Sequence, residues 1–208
     1  MLPSIEYATL LQYSPDGDSE ASQGSRRWRD AVKGGRIEAM RRGVAAIVAG
    51  HQQALEPFLN EHVTLVPMPR SSPIRTGDLW PTLELANMLA GLGLGTVAPC
   101  LERQSPVRKS ALHSKADDRP SVGEHYDSFA VDGQVTTPSI TLVDDVLTLG
   151  RTAMAAASRL AEAFPDSTIR LFCLMRAKGL EKEIDSIVHV RVEAITYNAK
   201  TKKTRLNP

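Results

Sequence analysis

Cysteine is scarce: Cys100 and Cys173 are the two in 208 residues. Each sits in an apolar run, which excludes a disulfide framework and a cysteine-built metal site and predicts two buried thiols. An excess of one charge is also lacking, with 25 Lys and Arg against 24 Asp and Glu. A formal net charge of +1 excludes bulk polyanion binding as the default and leaves only a local patch for it. No apolar run approaches the roughly 20 residues of a membrane-spanning helix, and no signal-peptide pattern opens the sequence. The expectation is a cytoplasmic protein without a membrane partner. Internal repeats and a second domain boundary are lacking too. What is there, 42% hydrophobic and 24% charged residues, is the composition of a soluble globular protein. The length suits a single domain, residues 1–208, with a substantial core.

The most informative stretch is ITLVDDVLTLGRT, residues 140–152. Residues 140–143 read as a short buried strand, and from Arg151 onward Met154, Ala157, Leu160, Ala161 and Phe164 recur at helical spacing. Between them lie two adjacent carboxylates, Asp144 and Asp145, and the loop Thr148-Leu149-Gly150-Arg151-Thr152. A strand that feeds such a loop into a helix start is a ready anion site. The first helical N–H groups lack intrahelical partners, and the helix dipole favours negative charge there. Gly150 can take a positive φ and let the backbone approach a phosphate, and Thr148 and Thr152 each offer a hydroxyl. Two like charges at a strand end repel, so their adjacency asks for a use. Acceptors beside a phosphate cradle suit the vicinal hydroxyls of a sugar, and the whole describes a site for a ribose 5-phosphate. The plainer alternative is a strand-to-helix turn with Asp145 as a solvated cap.

VDDVLTLGRT resembles the signature of the type I phosphoribosyltransferases: a hydrophobic strand, two acids, a short spacer and a Thr-x-Gly-x-Thr loop. The branch it resembles is the ComF-like one, associated with DNA uptake and competence. Leu149 and Arg151 stand where that branch more often has a small residue. PMPRSS, after an apolar run at residues 63–66, resembles the branch's PVP segment. RTGDLW takes the place of its RGFNQ string, with Asp78 near where Asn is usual. The branch often carries a four-cysteine zinc module, for which this chain has too few cysteines. The resemblance implies phosphoribosyl pyrophosphate (PRPP) as ligand. Asp144 and Asp145 would then be the catalytic carboxylates on the ribose hydroxyls. Thr148, Leu149, Gly150, Arg151 and Thr152 would hold the 5-phosphate. Arg70, Ser71, Ser72 and Arg75 would hold the pyrophosphate. Mg2+ would arrive with PRPP and touch Asp144 or Asp145, with no metal site built from protein ligands alone. A family lysine falls at Lys33, which is not counted among the catalytic residues.

Along the rest of the chain, residues 6–13 read as a strand and residues 14–27 as a polar loop. Residues 36–59 read as one long helix, with Ile37, Met40, Val44, Ile47, Leu55 and Phe58 on one face. A strand at 63–66, a helix at 79–92 and a strand at 96–101 follow. Residues 102–127 have no clean period and carry Arg103, Arg108, Lys109, Lys115 and Arg119. So long an aperiodic insertion is a candidate mobile basic loop, with Lys109, Lys115 and Arg119 able to close over a ligand; a solvated basic loop is the alternative. Residues 128–131, 167–175 and 187–197 read as strands, the last at an antiparallel edge, and residues 198–208 as an exposed basic tail.

The alternation predicts an α/β fold of the single-domain type I phosphoribosyltransferase kind, a mostly parallel sheet flanked by helices. The loops after Val66 and Val143 should face each other at the carboxyl ends of the strands. The expected function is transfer of a 5-phosphoribosyl group from PRPP, with release of pyrophosphate, to an acceptor the sequence does not name. Two alternatives stay open. One is a regulator or complex subunit that binds PRPP or a nucleotide without turnover. The other is a nucleic-acid-handling protein acting through RRWR and KTKK. A homodimer or larger assembly is compatible with all three.

Overall fold

The structure is a computed structural model that describes residues 1–108, 119–135, 137–179 and 182–207. Its elements begin with β1 (Ser4–Tyr13), α1 (Glu20–Lys33), a 3-10 turn (Glu38–Met40), α2 (Arg41–Gly50), α3 (Gln52–Leu55), β2 (Thr64–Pro67) and α4 (Pro81–Ala90). Then come β3 (Thr96–Val97), β4 (Leu101–Arg103), α5 (Val122–Asp127), β5 (Phe129–Val131), β6 (Ser139–Leu147), α6 (Arg151–Ala163), β7 (Thr168–Ala177), β8 (Val188–Asn198) and β9 (Lys203–Asn207).

Near-continuous apolar runs set the layers. β1 is buried from Tyr7 to its end, and β2 throughout. Strands buried on both faces need helices on each side of their sheet. On one side Val32 of α1, Val44 and Val48 of α2, and Leu85 and Leu89 of α4 share a core with Leu65, Val143, Phe172 and Leu174. On the other, Val122 of α5 and Met154, Ala157 and Leu160 of α6 share one with Ile140, Leu142, Leu171 and Cys173. Seven strands form the sheet, in the order β3-β2-β6-β7-β1-β8-β9. The first five in that order are parallel, β8 is antiparallel to β1, and β9 is antiparallel to β8. This is the expected α/β architecture with a mostly parallel sheet. Cys100 and Cys173 are buried thiols, as their apolar surroundings predict.

Topology places a crevice between β2 and β6. These strands pair in parallel, Thr64 opposite Ile140 through Pro67 opposite Val143. From β2 the chain crosses through α4 to β3 on one side; from β6 it crosses through α6 to β7 on the other. Neighbouring parallel strands whose connections leave in opposite directions open a crevice at their carboxyl ends. The loop after β2 begins there beside β6, with Met68 N–H donating to Val143 O at 2.9 Å, while β6 itself runs on to Leu147, so no loop follows Val143.

Several local expectations fail for tertiary reasons. Residues 14–27 are not one polar loop, since α1 begins at Glu20. Ser19 caps it by accepting from Ser22 N–H at 3.1 Å, and Glu183 accepts from the N–H groups of Asp18 at 2.7 Å and Ser19 at 2.8 Å. The expected helix at 36–59 is broken, with His51, at φ −130°, between α2 and α3, directly after Gly50, a poor helix former. The expected strand at 96–101 divides: β3 stays in the main sheet and β4 pairs with β5 in a separate ribbon. Pro99, which has no N–H to donate, lies between them. The segment 102–127 is not wholly irregular, because α5 closes it with a reciprocal Ser121–Glu124 capping box. Residues 198–208 are not simply an exposed tail, because β9 pairs with β8 and takes the sheet edge expected of residues 187–197. No helix among the described residues is long and apolar enough to cross a membrane.

The Glu183 anchor carries a pH signature. N–H donation from Asp18 and Ser19 holds its carboxyl down from 4.5 to about 2. A depressed carboxylate stabilises fully above its unfolded value and loses that stabilisation as pH falls toward the folded value. Glu183→Gln should therefore lower the melting temperature at neutral pH, and its deficit against the native protein should shrink steadily from about pH 4.5 downward. Thermal melts across that range check it; a deficit independent of pH would show that the charge is not what anchors α1.

Candidate functional site

The site is built where β6 enters α6. Asp144 and Asp145 lie within β6, which runs to Leu147 and pairs with β7 as far as Leu147 opposite Arg176, rather than ending at Val143. Gly150 then turns the chain with φ 71° and ψ 7°, the left-handed conformation that favours glycine. A Cβ there would stand 2.9 Å from two carbons of Ile195 in β8. Gly150 is also the N-cap of α6, and no side chain caps the helix. The first N–H groups of a 13-residue helix are thus left for whatever occupies the loop.

A depression of about 30 Å3 lies against this helix start, lined by Arg119, Asp144 and the residues from Val146 to Ala153. It holds a water-sized occupant, and a sugar phosphate needs side chains to move. Thr148, Leu149, Gly150, Arg151 and Thr152 all line it, with one acid, Asp144, and one residue of the basic segment, Arg119. Lys109 and Lys115, the other two basic candidates, lie outside the described residues. Arg151 does not simply bulk out the loop: its Nη1 donates to the carbonyls of Arg119 at 2.9 Å and Pro120 at 3.2 Å. It therefore ties the end of the basic segment to the loop. Leu149 O accepts from Thr204 Oγ1 of β9 at 2.6 Å, so the strand at the sheet edge braces the loop from behind.

The two carboxylates differ in environment. Asp145 is 6% exposed and ion-paired with Lys33 at the end of α1, so it is not a solvated cap. Burial lowers the Lys33 ammonium, but the Asp145 charge and hydrogen bond outweigh it and the net shift is upward. Asp144 accepts from the Asp145 N–H at 2.9 Å. Burial first, then the charge of Asp145, push its carboxyl up to about 7. Successive residues of a strand project to alternate sides, which lets Lys33 reach one carboxylate while the other lines the depression.

Two further buried groups flank the site, Arg103 near Asp144 and His125 against Thr152, and sequence pattern does not single out either. Arg103 is 5% exposed, stacks over Phe129 at 4.1 Å, and donates to Arg70 O at 2.6 Å and to Ser128 Oγ. Burial lowers its guanidinium to about 10, against the pull of Asp144. His125 of α5 is 4% exposed, with Nε2 3.2 Å from Thr152 Oγ1 and a buried Nδ1 without a partner among the described residues. Burial, then Arg103, hold its imidazole down to about 4, so it is neutral at neutral pH. The Ser-x-x-Glu capping box at Ser121 is the sequence signal that could have placed His125 on a helix.

The four pyrophosphate candidates lie on the loop after β2 and do not line the depression beside Asp144. Asp78 organises this loop: its Oδ2 is 3.4 Å from Arg70 Nη1 and accepts from Arg75 N–H at 3.2 Å. Arg70 Nη1 also donates to Leu79 O at 3.2 Å, and Ser71 O accepts from Val107 N–H at 2.8 Å. Ser72 is half-buried and Arg75 exposed. Arg103, bonded to Arg70 O, links this loop to the neighbourhood of Asp144. No three His, Cys, Asp or Glu side chains converge as a metal site among the described residues.

No known family model matches the chain, and no curated protein matches it in sequence.

The loop geometry sets an order of severity. Gly150→Val forces a β-branched residue into a left-handed conformation and against Ile195, and should cost roughly 1–3 kcal/mol. Leu149→Thr keeps the backbone bond to Thr204 and should cost well under that. Urea denaturation with and without inorganic phosphate checks both effects. Leu149→Thr should keep the stabilisation by phosphate and Gly150→Val should lose it.

Proposed function

We propose that the chain binds PRPP at the β2–β6 crevice and transfers its 5-phosphoribosyl group, releasing pyrophosphate. The observation that carries this is the uncapped start of α6 behind a left-handed Gly150, with Asp144 lining the same depression. The N–H groups from Gly150 to Thr152, with the hydroxyls of Thr148 and Thr152, would hold the 5-phosphate. That end lies far from the reacting bond, where binding energy positions the sugar. Asp144 would accept from a ribose hydroxyl and place negative charge near an anomeric carbon that turns cationic as pyrophosphate departs. Asp145, neutralised by Lys33, would hold the neighbouring hydroxyl or fix Asp144 in place. Arg70 and Arg75, with Ser71 and Ser72, would receive the pyrophosphate, and Arg119 with Lys109 and Lys115 would close over it and exclude water.

The donor set fits Mg2+ only in part. Two carboxylates on one strand give a cation that wants six oxygens at most a minority of them, so Mg2+ would bring the others on the diphosphate. When bound, it would neutralise the leaving charge.

The small depression and the Lys33–Asp145 pair favour a second reading, a regulator or complex subunit that binds PRPP or a nucleotide without turnover. Release of pyrophosphate from PRPP and Mg2+ in the presence of a panel of nucleobases separates the two. Release with any acceptor supports the transferase; tight binding with none supports the binder.

Asp144 should reveal itself by opposite effects on binding and stability. Its folded pKa is raised from 3.8 to about 7, so ionisation costs stability as pH rises through that interval, and the cost is complete above it. Asp144→Asn should raise the melting temperature at about pH 8, where the native protein carries the full penalty. It should also weaken PRPP binding at least about tenfold, the loss expected of a charge-assisted hydrogen bond. Calorimetry and thermal melts on the same variant read both. Unchanged PRPP affinity would remove Asp144 from the site.

A further inference from the structure

The carboxyl ends of β7 and β1 and the start of β8 enclose a second cavity, of about 190 Å3, whose lining shares no residue with the depression at Gly150. Its polar lining is Thr9, Gln12, Arg176, Lys178, His189 and Arg191. Strand register assembles them: Gln12 lies opposite Arg176 of β7, and Thr9 opposite Arg191 of β8. Glu193, whose side chain is 7% exposed, accepts from Arg176 Nη1 at 2.6 Å, from Arg191 Nη1 at 2.7 Å and from Tyr7 Oη. One carboxylate thus fixes two guanidiniums and cannot neutralise both.

The remaining contacts orient these groups without discharging them. Arg191 Nε donates to His189 Nε2 at 2.9 Å, so the imidazole carries its proton on Nδ1, which donates to Gln12 Oε1 at 2.9 Å. Burial, then the charges of Arg191, Lys178 and Arg176, hold this imidazole below its ordinary range despite Glu193. The second Nη of Arg191, and the Nε and second Nη of Arg176, are left without a hydrogen-bonding partner among the described residues. Thr9, 0% exposed, has a hydroxyl without a partner among them as well. A network serving the fold alone would be expected to balance its charges and satisfy its buried hydroxyl. This one presents oriented N–H donors and uncompensated positive charge to a concave space.

We propose that this cavity is an anion site that binds the phosphate group of a small molecule through Arg176 and Arg191, with Gln12 and His189 holding Arg191 in position. The volume admits a phosphate with a modest organic part. The proposal is independent of any role for Asp144 and Gly150, because it uses different residues on different strands.

The test uses the full chain titrated with inorganic phosphate, pyrophosphate and adenosine 5′-monophosphate, followed by calorimetry and by NMR of the His189 imidazole. In the native protein each bound anion should shift the His189 resonances and raise the pH at which the ring titrates. Tighter binding of the nucleotide than of inorganic phosphate identifies a phosphorylated metabolite as the ligand; the reverse identifies free phosphate. Arg191→Gln and Arg176→Gln, on different strands, should each weaken this binding at least about tenfold. Asp144→Asn should leave the His189 response unchanged. The proposal is overturned if saturating anion leaves the His189 signals of the native protein in place, a readout that needs no variant to fold. It is overturned equally if folded Arg191→Gln and Arg176→Gln bind with native affinity and stoichiometry.

Discussion

β6 is the strand on which the candidate site depends. β2 and β7 flank its edges and helices cover both faces, so the groups it carries are removed from water except at its end. Its sequence nevertheless places two carboxylates in that position. Buried charge demands compensation, and here it comes from opposite directions. Lys33 reaches Asp145 from α1, while Arg103 of β4 lies close enough to Asp144 to feel its charge. The outcome is a series, Lys33, Asp145, Asp144, Arg103, of two carboxylates between two cations, in which the two middle members repel each other. Such a series can be rebalanced by a ligand that hydrogen-bonds one carboxylate, which makes the end of β6 responsive where the rest of the core is inert.

What the sequence made legible was local. The strand, the acidic pair, Gly150 and the apolar stripe of α6 follow one another within a short stretch, and each rests on neighbours in the chain. The contacts that went unseen join distant parts of the chain. α1 starts inside an apparently polar loop because Glu183, 165 residues away from Asp18, caps its approach. Lys33 meets Asp145 only because α1 packs over the sheet. β9 exists because β8 offers it an edge, although the alternation of Thr204, Leu206 and their charged neighbours is a faint strand signal. Arg103 and His125 fall in a segment without periodicity, and what distinguishes them is burial, which a pattern of residue types does not encode.

The plain alternative, a structural strand-to-helix turn, can be weighed by what such a turn would contain. It would cap α6 with Ser, Thr, Asp or Asn, and here Gly150 leaves the helix uncapped. It would put an apolar side chain at Asp144, where a carboxyl is instead pushed up by burial and by its neighbour. It would not bury Arg103 without a carboxylate bonded to it, or leave His125 Nδ1 unsatisfied. Each feature has a cost, and all four gather at one end of one sheet. Departures from local consistency that cluster in this way favour the candidate site over a poorly made turn.

The same end of the sheet carries the second cavity. Arg176, which lines it, is the register partner of Leu147, which lines the first depression. The carboxyl ends of the parallel strands point one way and the start of antiparallel β8 lies beside them, so groups unneeded for packing accumulate on that side. β6 contributes carboxylates and an uncapped helix start; β7 and β8 contribute guanidiniums steadied by Glu193. An anion on Arg176 would draw on the charge of a side chain one strand away from the Gly150 loop. Any coupling between the two cavities would therefore run through the hydrogen-bonded β6–β7 pair, the most direct route between them.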